Sequence, residues 1–110
     1  MSTISKPLFG SKHAENSQTT QYTASGVRTI IDKFTGYNST GGAVTLAINL
    51  VANAGTAGAS NLCVLKSIAA GETYTFPEVV GHSLEPGGFI STIAGASSAI
   101  VIRASGREVN

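Results

Sequence analysis

The chain has 110 residues, with seven Lys or Arg against six Asp or Glu and a net charge of +1. That length suits one domain and a core that needs no staples. Charged residues are only 12%, about half of the roughly 25% usual in a globular chain; Gly, Ala, Ser and Thr take their place. A free monomer wants a more charged surface than this, so much of the surface is expected to lie against other protein. The basic residues are spread along the chain, which argues against a nucleic-acid partner. No window approaches the roughly 18 apolar residues of a membrane span, so no membrane partner is expected either.

Residues 1–21 are polar and lack a period, and they read as an N-terminal arm, extended or disordered in isolation. The start shows no apolar core of a secretory signal, so synthesis in the cytoplasm is expected. Within the arm, Lys6, Pro7, Leu8 and Phe9 include its large apolar side chains, and Pro7 restricts Lys6 to extended geometry. The four form either part of a free tail or an anchor that contacts a partner subunit. Residues 22–110 read as the folded domain.

From residue 19 onward, short β-branched and aromatic runs alternate with Gly, Ser, Ala and Asn, the pattern of strands and turns. Strands are expected over 19–24 and 28–37. The second alternates imperfectly, with Ile30 and Phe34 assigned to one face and Ile31 and Tyr37 to the other; a bulge or cover on both faces would account for it. Asn38-Ser39-Thr40-Gly41-Gly42 is a turn signal, and 43–51 follows with Val44, Leu46, Ile48 and Leu50 on one face. The two runs are expected to form a hairpin. Residues 52–60 carry no charge and no bulky side chain, and read as a flexible loop. Further strands are expected over 61–68, 73–76 and 79–84, then over 89–94 and 99–105, with the last two paired around 95–98. The Glu85-Pro86-Gly87-Gly88 turn leaves Gly87 free for positive φ. About seven or eight short strands at intervals of about ten residues make an all-β single sandwich, jelly-roll or Ig-like.

Reactive groups are sparse. Cys63 is the lone cysteine and reads as a small buried hydrophobe. His13 and His82 lack the spacing of metal ligands, and no nucleophile elbow accompanies Asp32 and His82. The carboxylates Glu15, Asp32, Glu72, Glu78, Glu85 and Glu108 fall mostly in turns and termini, with no spacing that forces a pair. Phosphate-binding glycine motifs are absent. No enzyme activity, cofactor, metal or small-molecule substrate is expected. Arg103, Arg107 and Glu108 guard a strand edge or bridge to a partner.

The stretch 22–40, with Val27-Arg28-Thr29-Ile30-Ile31-Asp32-Lys33-Phe34 at its centre, resembles small virion proteins of tailed bacteriophages. So do 42–51, Ile68-Ala69-Ala70-Gly71-Glu72-Thr73-Tyr74 and Leu84-Glu85-Pro86-Gly87-Gly88-Phe89-Ile90. The resemblance covers roughly 22–109 and is closest to capsid cement, or decoration, proteins. It implies a virion location, a structural role, contact with the major capsid protein and self-association into a dimer or trimer. It supplies no catalytic residue. A tail or head-to-tail connector component is the alternative. A carbohydrate- or receptor-binding module ranks below it, because Trp is absent and Tyr22, Tyr37 and Tyr74 are scattered. In such assemblies a weak contact gains from repetition, and strand edges offer sites for pairing between chains.

Overall fold

The β-branched runs become nine strands in the computed structural model, which describes residues 3–109. They are β1 (Thr3–His13), β2 (Thr19–Thr23), β3 (Arg28–Asn38), β4 (Val44–Val51), β5 (Leu62–Ile68), β6 (Thr73–Tyr74), β7 (Ser83–Leu84), β8 (Phe89–Ala94) and β9 (Ile100–Val109). A 3-10 turn, Ala59–Asn61, precedes β5. Two antiparallel sheets form the expected sandwich. The first has the order β1-β9-β3-β6, with β7 also on β3; the second has the order β2-β8-β4-β5. Among the described residues no helix is long and apolar enough to cross a membrane.

The irregular alternation of β3 comes from a bulge. Ile31 lies opposite Gly106 and Lys33 opposite Ser105, so Asp32 is the extra residue. A bulge inverts the side-chain parity beyond it. Ile31 and Phe34 therefore share the core face, both with no exposed surface, which corrects their assignment to opposite faces. Gly106 is required beside the bulge, because a Cβ there would collide with the Ile30 carbonyl oxygen.

Two expected pairings do not form. β3 and β4 lie in different sheets, and so do β8 and β9. Asn38 sets the first crossing. Fully buried, it donates from Nδ2 to the carbonyls of Gly42 (2.7 Å) and Ile68 (2.8 Å), and its Oδ1 accepts from the Thr40 N–H (2.9 Å) and hydroxyl (2.7 Å). The chain is thereby turned toward the second sheet instead of back along the first. The second crossing lies beside it, since the Ser39 N–H and hydroxyl both donate to the Ala99 carbonyl (2.9 and 3.0 Å).

The stretch expected to stand outside the sandwich is built into it. Residues 3–13 pair along β9 from Thr3 opposite Val109 to His13 opposite Val101. Leu8 is 8% exposed, and Phe9 meets Phe34 edge-on at 5.7 Å between centroids. From there, edge-to-face contacts run Phe34–Phe76 (5.4 Å) and Phe76–Tyr74 (4.8 Å) through the core. Each such pair adds about 0.5–1.5 kcal/mol beyond area burial. Met1, Ser2 and Asn110, which begin the expected arm and end the expected domain, lie outside the described residues.

Candidate functional site

The groups that could carry chemistry are tied into local structure. Each of the six carboxylates has a partner. Glu15 meets Lys12 (2.8 Å), Asp32 meets Arg107 (3.0 Å), Glu85 meets Arg28 (2.9 Å) and Glu108 meets Lys6 (3.5 Å). Glu78 accepts from the Tyr74 hydroxyl and Glu72 from the Ala69 N–H, both at 2.9 Å. Cys63 is half-buried, and burial together with the nearby Glu78 charge pushes its thiol pKa up, the wrong direction for a nucleophile. His82 is exposed in the turn before β7, where its carbonyl accepts from the Ile31 N–H (2.9 Å). Among the described residues no three His, Cys, Asp or Glu side chains gather where they could hold a metal ion.

The four residues read as a partner contact all lie on β1. Leu8 and Phe9 spend their apolar surface on this chain's own core. Lys6 reaches Glu108, and Pro7 lies opposite Ser105 on the sheet's outermost strand. While β1 is seated, Leu8 is committed to this core and Phe9 keeps part of its ring accessible.

The sheet edges are shaped against pairing. β1 carries Pro7 and two register irregularities, between Pro7 and Phe9 and between Phe9 and Lys12. β5 points Lys66 inward, where its ammonium sits 4.6 Å from the Tyr74 ring centroid. β2 is broken between Thr20 and Tyr22, and β6 and β7 have two residues each. Proline, bulges, inward lysine and short strands are the usual devices that blunt an edge.

The two outer faces differ in charge. On the first sheet, Asp32, Lys33, Arg103 and Arg107 stand close together across β3 and β9. Arg107 clasps Asp32 with Nε and Nη2, while among the described residues Lys33 and Arg103 have no ion pair. That face is net positive. On the outer side of the second sheet Thr45 of β4, Leu62, Leu65 and Ser67 of β5 and Ile93 of β8 reach solvent, while Ala47, Asn49 and Ser91 on the same side are buried. None of these carries a charge. Leu65 is 62% exposed and Leu62 42%.

A depression of about 200 Å³ opens on this uncharged face, floored by Ala47 and Asn49 and rimmed by Gln18, Ala59, Leu62 and Ile93. Its side-chain amide donors are already engaged. Asn49 donates to the Gly58 carbonyl (2.9 Å) and to Asn61 Oδ1 (2.8 Å), and Gln18 donates to Ser91 Oγ (2.8 Å). Asn61 Oδ1 also accepts from the Gly58 N–H (3.0 Å), and Asn61 Nδ2 donates to the Thr56 carbonyl (2.8 Å). These bonds fold 52–61 back onto the sheet, where a flexible loop was expected. A larger open depression of about 420 Å³ lies between the end of β4 and the 83–88 turn. Its one ionisable side chain, Glu85, is taken by Arg28.

No known protein family matches the chain, and no curated protein matches it. Among solved structures it is similar to a point mutant of the VP2 protein of infectious bursal disease virus in T=1 particles, at 12% identity and a TM-score of 0.25. That match covers 98% of this chain and 40% of the VP2 chain, so the chain spans less than half the length of its match. A superposition this loose carries no argument about fold or function.

Proposed function

We propose that this protein is a structural component of a virion, acting through the surfaces it presents to neighbouring subunits and not through reactive side chains. More specifically, it is a cement protein of a tailed-phage capsid, bound to the major capsid protein and to further copies of itself on the shell. The observation that carries the reading is the uncharged outer face of the second sheet, with Leu62 and Leu65 in solvent. Exposed apolar patches rimmed by polar groups mark contact surfaces. The blunted edges and the fully partnered carboxylates support it, as does the sequence resemblance to phage virion proteins. No cofactor, nucleic acid, membrane or small-molecule substrate belongs to this reading.

The test is the stoichiometry of the protein in purified particles. Copies in fixed ratio to the major capsid protein, with loss of heat resistance when the gene is removed, are the expected result. A single ring at one vertex would replace cement with a connector. Absence from particles would overturn the virion role.

A further inference from the structure

We infer that the outer face of the second sheet docks on the same face of a second copy of this chain across a two-fold axis, with Leu65 of each copy seated in the other's depression. This rests on the reading of the chain as a subunit among subunits and deepens it by naming one partner and the face that receives it.

A two-fold contact needs the protruding and the receiving element on one patch of one chain. Both are present. Leu65 lies opposite Ala47 in the β4–β5 register, and Ala47 floors the depression. Directly opposed residues have Cβ atoms roughly 5 Å apart, so knob and hole adjoin. The depression, at about 200 Å³, falls below the ~300 Å³ at which drug-sized ligands begin to fit. It suits a side chain. Drying it strands no donor, because the Asn49 amide already spends both hydrogens on Gly58 and Asn61; an unsatisfied amide would oppose docking by its full desolvation cost.

Charge selects the second copy as the occupant. The face carries no ionised group, so two copies oppose no like charges. The other outer face would set Lys33 and Arg103 against themselves, and like charges across an interface are repulsive. Complementary charge helps fix the register of a foreign partner and this face offers none, whereas symmetry supplies register to a self-pair. Area sets the strength. At ~4.8 Å between strands and ~3.4 Å per residue, strands of five, six, eight and seven residues give a flat footprint of roughly 420 Å², part of it under the 52–61 segment. A standard interface buries about 800 Å² per partner. The dimer is therefore weak, concentration-dependent and sensitive to its central side chain, the kind of contact that gains from an array.

The test is sedimentation equilibrium across a concentration series on the full chain. The wild type is expected to pass from monomer mass toward twice that mass. Leu65→Asp removes the knob, and Ala59→Trp fills the hole from its exposed rim. Each is expected to raise the dimer Kd at least about 30-fold, with circular dichroism and melting temperature unchanged. Arg103→Glu, on the opposite face, is expected to dimerise like the wild type. A wild type that stays monomeric, a trimer mass, or variants that dimerise undiminished would overturn the contact. A dimer of a protein missing from purified particles would leave this contact standing and remove the virion role. A monomer that nonetheless coats capsids would do the reverse.

Discussion

Tyr22 joins the two sheets through one hydroxyl. It stands on β2, and its Oη donates to Glu108 Oε2 (2.5 Å) on β9 while accepting from the buried Thr29 hydroxyl (2.7 Å) on β3. Burial, and then the hydrogen bond to Glu108, push its pKa from 10 up to about 12. The folded state thus holds this proton more tightly than the unfolded chain does. The stabilisation is complete below pH 10 and is lost as pH rises from 10 to about 12. At the acid end the sign reverses. The hydrogen bond from Tyr22 and the charge of Lys6 outweigh desolvation and hold the Glu108 carboxyl below 4.5; its stabilisation is present above that value and is lost as pH falls through the lowered one. Tyr22→Phe is expected to cost about 1.5–3 kcal/mol at neutral pH, the range for a hydrogen bond to a charged group. It should also flatten the alkaline limb of the stability curve. Urea unfolding of both proteins at pH 7 and pH 11 checks this, and an alkaline loss in the variant equal to that of the wild type would rule the staple out.

Strand positions and strand partners were legible to different degrees, and the two crossings show why. The 3.4 Å repeat of a strand writes its alternation locally, so β3, β4, β5, β8 and β9 stand close to where their apolar runs place them. Even the β3 bulge is visible as the odd spacing of Ile31 and Phe34. Partner choice is not local. Asn38-Ser39-Thr40-Gly41-Gly42 has the residues of a hairpin turn, and what makes it a corner is a bond to the carbonyl of Ile68, thirty positions away. Asn38→Ala removes both donors from that corner and is expected to cost about 2–4 kcal/mol, since a buried carbonyl left without a partner costs about 1–3 kcal/mol. Asn38→Asp keeps the bonds from Thr40 and should do comparable damage, because a carboxylate cannot donate. A loss under about 1 kcal/mol for both in chemical denaturation would mean that something else turns the chain. The docking face was hidden for a similar reason. By alternation Leu62 belongs with Val64, but Leu62 lies opposite Asn49 and Val64 opposite Ile48, which makes Cys63 the extra residue and carries Leu62 to the side of Leu65. The N-terminal stretch was misread because an edge strand covers only one face of the core. Two apolar residues, Leu8 and Phe9, meet that need, and they leave no period to see.

For the whole molecule, the consequence is that residues 3–13 are structural. Deleting an arm leaves a domain intact; deleting β1 uncovers the ten residues of β9 and the side of Phe34 that Phe9 touches. Truncating a buried Leu such as Leu8 costs about 2–5 kcal/mol, and the partly buried Phe9 adds a share of the roughly 3–5 kcal/mol of a fully buried Phe. Together these rival the roughly 5–15 kcal/mol that holds a domain folded. A chain beginning at residue 14 is therefore expected to lose its cooperative melting transition. It also loses Pro7 and both irregularities of β1, so the newly outermost strand is ten residues long with only the charges of Arg103, Arg107 and Glu108 to guard it, and strand pairing between molecules becomes its route to aggregation. That route differs in kind from the contact between uncharged faces. Adding Leu65→Asp to the shortened chain should leave the aggregation as it is, while the same substitution in the full chain should abolish the dimer. Circular dichroism melting and size-exclusion chromatography on the four proteins separate the two modes. A soluble shortened chain with the melting curve of the full one would return residues 3–13 to the role of an arm and reopen Leu8 and Phe9 as anchors for a neighbour.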